Sequence, residues 1–316
     1  MALLALHGTT IELLTSGFQG RQPIFPLKLA PGSGAPDLRV ELTFADAPGA
    51  IPDGAEAIFY HGLTRVYRHG DDLYLIDEGS SILRLPSDGR TIEGRITALS
   101  LKDEYSFTHA TLFIALVLAL RHRRLFHLHA GAVENAGRVI LIPGASGNGK
   151  SSTTMALVAA GWSYVGDDAV LLRAADPIEI LAVPKLFHLD DRSFGAFADI
   201  GLELGPSYRS NHQKRSLDPS SVFGAQLRTR APAPTHLLFP TVRDRDRTAI
   251  TPISQAEAFG ALVESAPLFM FDGLANRGVQ QGMLAAMATS SVAFQLDLGR
   301  DALSDRSVIP RLIEAL

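Results

Sequence analysis

Apolar and polar positions alternate through the first third of this 316-residue chain, and the period changes near residue 106. "LRVELTFAD" (38–46), "GLTRVYRHGDDLYLID" (62–77) and "RTIEGRITALSL" (90–101) mix β-branched and aromatic residues with turn signals such as Gly70-Asp71, so they predict strands. "APGSGAP" (30–36) and "DAPGAIPDG" (46–54) predict loops. Residues 1–105 therefore read as a β-rich N-terminal module in which no catalytic side chains gather along the sequence.

From residue 106 onward the pattern predicts alternating strands and helices. A helix over about 107–124 ends in the basic run Arg121–Arg124, where positive charge suits a helix C-terminus. "FHLHAGAV", "RVILIPGASGNGK", "SSTTMALVAAG" and "WSYVGDDAVLL" predict strand, strand with loop, helix and strand in turn. Helices follow at 254–266 and 274–290, then a late strand at 291–299 and a closing helix in "SDRSVIPRLIEAL". "VRDRDRT" (242–248), with its alternating charges, suits an exposed strand edge. The expected fold class is α/β: a central sheet in residues 106–316 joined to the N-terminal module.

Composition narrows the partners. Lys plus Arg number 29 against 33 Asp plus Glu, so the net charge of −4 predicts no bulk attraction to nucleic acid or to an anionic membrane. Cysteine is absent, which excludes disulfides, cysteine–zinc sites and thiol catalysis, and fits a cytoplasmic location. "MALLALHGTTIELL" has no basic residue before its apolar run and no evident cleavage site, so no signal peptide is predicted. The apolar run "LFIALVLAL" (112–120) is far shorter than the roughly 20 residues a bilayer requires, and predicts a buried helix. Self-association is left open.

The most specific signal is Gly144-Ala145-Ser146-Gly147-Asn148-Gly149-Lys150-Ser151, which matches G-x-x-x-x-G-K-[ST]. An apolar strand precedes it, and a helix starts at its end with Ser151 and Ser152. Glycines let backbone N–H groups turn toward phosphate oxygens, and the helix aims its positive end at the same place. That chemistry predicts ATP on residues 144–152, with Lys150 at the β/γ-phosphates and the Ser151 hydroxyl helping to hold Mg²⁺.

Asp167 and Asp168 follow after one helix and one short strand. The chain therefore leaves the loop and returns along a neighbouring strand, which brings both carboxylates to the ligand crevice of an α/β sheet. One of the two can hold Mg²⁺ while the other accepts a proton from an attacking hydroxyl. Gly-Asp-Asp is also a common turn composition, but the apolar flanks "WSYV" and "AVLL" argue against a simple exposed loop. His129 is ambiguous by itself, since alternation puts His127 and His129 on one face of a half-buried strand.

Taken together, His129, the loop from Gly144 to Ser151 and the "GWSYVGDD" stretch (161–168) resemble the kinase domain of HPr kinase/phosphorylase. That family is related in fold to the ATP-dependent phosphoenolpyruvate carboxykinases. The matching block covers residues 127 to about 172. The resemblance implies a P-loop-containing central sheet of that type and a serine kinase using ATP and Mg²⁺. It assigns His129 and Lys150 to the catalytic site, Asp167 to the general-base position and Asp168 to the metal side with Ser151, although adjacent carboxylates can exchange duties. The family's "E-I-R-G" signature is replaced here by "LAVPKLFHLDDRSFG" (181–195), so the likeness is closer to divergent relatives, some of which phosphorylate lasso-peptide precursors on serine. A protein or peptide is thus the expected phosphoacceptor. A small-molecule kinase and a nucleotide-binding regulatory module are the alternatives.

Four cations are further candidates for the transferred phosphoryl group: Lys185, Lys214, Arg215 and Arg277. Lys214 and Arg215 lie in "GPSYRSNHQKRSLDPSS" (205–221), which predicts a loop over the nucleotide, and Asp190-Asp191 could replace the missing metal glutamate.

Overall fold

The computed structural model describes residues 1–20, 25–103, 107–190 and 214–316. They form two compact units, Met1–Leu125 with Gly273–Asn276, and Phe126–Asp272 with Arg277–Leu316. The fold is mixed α/β with several sheets.

The first unit carries a nine-stranded sheet in the order Ala30–Pro31, Ala2–Leu6, Thr9–Ser16, Leu38–Ala45, Thr91–Thr97, Ile82–Leu85, Asp72–Ile76, Thr64–His69 and Glu56–His61. The N-terminal apolar run is the first strand of a hairpin whose turn, His7-Gly8, has positive φ at both residues, as two-residue hairpin turns favour. Part of the expected loop at 30–36 instead adds the short strand Ala30–Pro31 to the sheet edge. Leu38–Ala45 runs parallel to both of its neighbours, while the strands from Glu56 to Leu85 form antiparallel hairpins. Val40, Val66, Leu75, Leu83 and Ile92 are fully buried. The apolar run beginning at Leu112 is the buried α-helix Phe113–Leu120, which packs on the strands Ile82–Leu85 and Thr91–Thr97. No helix among the described residues is long and apolar enough to cross a membrane.

In the second unit a six-stranded sheet has the order Ser163–Gly166, Ala130–Asn135, Arg138–Pro143, His236–Val242, Val292–Leu298 and Ala249–Pro252. The sheet is mixed. Arg138–Pro143, His236–Val242 and Val292–Leu298 run parallel, and the remaining pairings are antiparallel. Its faces follow the two-residue period of its strands. Val133, Ile140 and Ile142 meet the helices Lys150–Ala159 and Val308–Glu314 through Met155, Leu157, Ile309 and Ile313. On the other face Ala132, Val139 and Leu141 meet the helices Gln255–Glu264 and Arg277–Ser290 through Leu262, Met283, Leu284 and Met287. His236–Val242 is hard to predict because it contains Pro240. That proline is tolerated because pairing with Arg138–Pro143 is confined to His236 and Leu237.

Further elements depart from the expected pattern, and the end of the strand predicted over 90–101 is the helix Ala98–Lys102. "FHLHAGAV" is two strands, Leu125–Leu128 and Ala130–Asn135, in different sheets, with His129 at the break. "WSYVGDDAVLL" is likewise Ser163–Gly166 and Val170–Arg173, parted at the aspartate pair. Leu125–Leu128 and Val170–Arg173 leave the six-stranded sheet to form a four-stranded one with Glu179–Ala182 and Arg230–Pro232. Finally, "VRDRDRT" is a loop rather than a strand edge. Arg243 and Arg245 pair with Asp297, and Arg300 pairs with Asp244 and Asp246.

Candidate active site

The strand directions explain why distant residues meet. Arg138–Pro143 ends at the glycine loop, and its last residue pairs with Ala130, the first residue of the antiparallel strand. His129, one residue earlier, therefore lies at the same sheet edge, where its carbonyl accepts the Gly144 N–H at 3.3 Å. Ser163–Gly166 is antiparallel to Ala130–Asn135, so it also ends at that edge and delivers Asp167 and Asp168 there. The returning strand is not next to Arg138–Pro143, as the sequence suggested. It lies one strand farther out, beyond Ala130–Asn135.

The loop is shaped by its glycines. Gly149 has φ +94°, a conformation that favours glycine, and a Cβ on it would lie 2.2 Å from Leu298 Cδ1, the movable end of a side chain. The helix Lys150–Ala159 starts there without a side-chain cap. By contrast, Gln255–Glu264 has a full capping box from Ser254 and Glu257. A helix start without a side-chain cap is the arrangement that anion sites use. Ala145, Ser146 and Gly147 are exposed, while Gly144, Asn148, Ser151 and Ser152 are half-buried. Lys150 is buried, and its Nζ donates to the Ala145 carbonyl at 2.9 Å.

Two linked clusters face this loop. Ser151 Oγ donates to Asp167 Oδ2 at 2.6 Å. Next to it, Asp168 Oδ1 lies 2.6 Å from His129 Nε2, and Asp168 Oδ2 accepts from Lys185 Nζ at 3.0 Å. The two carboxylates have opposite surroundings. Asp167 is buried, and burial, reinforced by repulsion from Asp168, pushes its pKa up to about 6 against the opposing pull of Ser151, Lys150 and Lys185. Burial also works against ionised Asp168, but Lys185 and His129 outweigh it and hold that carboxyl well below the usual range. Asp168 sits at φ +63° with its side chain 42% exposed, so the corner presents one carboxylate outward and tucks the other in.

Of the weaker candidates, Lys185 joins the site and Arg277 does not. The Arg277 guanidinium is held by Asp272 and the Phe269 carbonyl, and lies over the Phe269 ring. Lys214–Leu217 pairs with Phe187–Asp190 in a separate two-stranded ribbon, and the side chains of Lys214, Arg215 and Asp190 lie outside the described residues. So do Asp191 and residues 205–213 of the expected loop over the nucleotide.

Ser151 Oγ and the Asp167 carboxylate are hard oxygen donors, and Asp167 Oδ1 is a buried oxygen with no partner. This fits Mg²⁺, which takes one or two carboxylates beside substrate phosphates and keeps several waters. Among the described residues no group of three or more His, Asp or Glu side chains forms a metal cage.

No family model matches this sequence, and no curated protein does. Among solved structures, the Hpr(Ser) kinase/phosphatase from Coxiella burnetii is similar at a TM-score of 0.30 and 11% identity, over 60% of this chain and 94% of that one. At that level the site's own residues, not kinship, must carry any functional reading.

Proposed function

We propose that this chain is a kinase that binds ATP with Mg²⁺ and transfers the γ-phosphoryl group to a hydroxyl, a serine of a protein or peptide. The carrying observation is the convergence of three strand ends on one edge, where the hydrogen bonds Ser151–Asp167 and Asp168–His129 set the aspartate pair against the glycine loop. A module that only binds nucleotide has no use for this second cluster.

In this reading the loop N–H groups and Lys150 hold the phosphates. Ser151 and Asp167 would hold the ion, which supplies neutralising charge at the β- and γ-phosphates. The two aspartates thus exchange the duties that the family resemblance suggests. Asp167 is 3% exposed and bonded to Ser151, so it cannot reach an incoming hydroxyl. Asp168 is 42% exposed and can. The acceptor oxygen attacks the γ-phosphorus, the bond to the bridging oxygen breaks, ADP leaves, and the hydroxyl proton passes to Asp168. A carboxylate held ionised is a weak base, but the loose transition state of phosphoryl transfer asks mainly for positioning and charge. Lys185, bonded to Asp168, fixes that carboxylate and adds positive charge near the transferred group.

The test is mass spectrometry of the purified protein with Mg²⁺-ATP and the peptides encoded beside its gene, including any lasso-peptide precursor. One added phosphate on a serine, lost in Asp168→Asn, supports the proposal. ATP bound through Lys150 with no peptide modified would move the acceptor to a small molecule. No ATP binding would end the kinase reading.

A further inference from the structure

The order of strands gives the glycine loop two unlike flanks. The loop follows Arg138–Pro143. On one side lie Ala130–Asn135 and Ser163–Gly166, and with them His129 and the aspartate pair. On the other lie His236–Val242 and Val292–Leu298, which run parallel to the loop-bearing strand and therefore end at the same edge. Their last residues, Val242 and Leu298, are register partners. Both reach the loop, since a Cβ on Gly149 would lie 2.2 Å from Leu298 Cδ1 and 3.6 Å from Val242 Cγ2.

The first flank presents carboxylates, a histidine and a lysine, whereas the second meets the loop with apolar side chains. Leu298 is buried, but Val242 is 58% exposed. A lone exposed valine is ordinary on most surfaces. This one stands at the C-terminal ends of parallel strands beside the glycine loop, where α/β sheets take ligands. The segment that follows is held in place. The Arg243 N–H donates to the Leu298 carbonyl at 2.9 Å, and the Arg300 N–H to the Arg245 carbonyl at 2.8 Å. The Asp301 carboxylate accepts from both the N–H and the hydroxyl of Thr248. Val242 thus sits on a braced ledge, and the exposed Arg243 and Arg245 that follow it share Asp297.

We propose that Val242, backed by Leu298, is the floor of the nucleoside site, so that the base of ATP covers Val242 while the phosphates lie on the glycine loop. The inference rests on the proposed kinase reading and adds to it the place of the base. A γ-phosphoryl group transferred at Asp168 and Lys185 points to the first flank, and the nucleoside then leaves the loop on the second. An adenine ring has apolar faces, so laying it on Val242 removes apolar area of both partners from water. Arg243, next in the chain, supplies a guanidinium plane of the kind that stacks on aromatic rings.

The experiment is calorimetric titration of the full chain, with Mg²⁺ present, by two probes. One is the non-transferable analogue β,γ-methylene-ATP, and the other is tripolyphosphate, which has the phosphates but no nucleoside. Val242→Asn makes the floor polar without adding charge, and Val242→Leu keeps it apolar. Val242→Asn is expected to weaken the nucleotide analogue by about tenfold and leave tripolyphosphate unchanged. Val242→Leu is expected to stay within about twofold of the parent for both probes. Parent-like binding of the analogue by Val242→Asn overturns the inference. So does an equal loss of both probes, which would place the effect in the loop at Gly149, or an equal loss in the Asn and Leu variants. Each of these leaves the kinase reading intact, whereas a parent that binds neither probe overturns both. If the parent binds the analogue but not tripolyphosphate, the contrast between the Asn and Leu variants decides. Circular dichroism reports folding, and Val242→Thr replaces an Asn variant that does not fold.

Discussion

Ser151 and Asp167 stand sixteen positions apart and share a 2.6 Å hydrogen bond that ties the start of the loop-bearing helix to the corner of a strand two places away in the sheet. Asp167 is nonetheless a buried carboxyl raised to about 6, so holding it in place works against the stability of the fold. Its unfolded value lies near 3.8, and between those two values the native state binds more protons than the unfolded one. Stability from this group is thus fully present below about 3.8 and lost as pH rises through 6. Asp167→Asn should flatten that dependence and exceed the parent by roughly 2–3 kcal/mol at pH 8. Urea unfolding at pH 4 and pH 8, without Mg²⁺ or nucleotide, measures this, and parallel curves for the two proteins would refute it.

In the proposed reading Lys150 belongs to the phosphate side of the site. Lys150→Ala should weaken ATP at least tenfold, because a charge-assisted bond to phosphate is lost from a buried position. Fluorescence titration with a labelled ATP analogue gives the comparison. Unchanged affinity would remove the loop from the site.

In the proposed reading Asp168 and Lys185 belong to the acceptor side. Asp168→Asn should lower kcat by about 10²–10⁴-fold with the KM for ATP little changed, as expected for a proton acceptor that does not hold the nucleotide. Lys185→Met should lower kcat in the same direction by removing the cation that fixes Asp168. Steady-state kinetics on whichever acceptor is found decides the matter, and a rise in the KM for ATP alone would contradict the assignment.

Gly149 tests the loop backbone. Gly149→Ala meets both a φ of +94° and the close Leu298 side chain, and should destabilise the protein by roughly 1–3 kcal/mol. Trimming the neighbour as well, in Gly149→Ala with Leu298→Ala, removes the contact but not the backbone strain, so stability should not return to the parent value. Thermal melting resolves the pair.

Ser254→Ala serves as the opposite control. It removes the capping box of a helix on the far face of the sheet and should cost about 1 kcal/mol of stability with nucleotide affinity unchanged. A loss of affinity comparable to that of Lys150→Ala would mean that the binding variants report general destabilisation.

The sequence by itself determined the local pieces. The order strand, glycine loop, helix is written in residues 138–159 because each signal there, an apolar run, a cluster of glycines and the G-x-x-x-x-G-K-[ST] pattern, acts over a few neighbours. The hairpin at Gly70-Asp71 and the helix predicted over 254–266 are legible for the same reason. Only the tertiary structure decided that His129 and the aspartate pair mark places where the chain passes from one sheet to another. Alternation records which face of a strand is buried, not which partner buries it, so the break at His129 is silent in the pattern. The same holds for the division of labour between the carboxylates. Asp167 meets Ser151 and Asp168 meets Lys185 and His129 because the chain turns through φ +63° at Asp168.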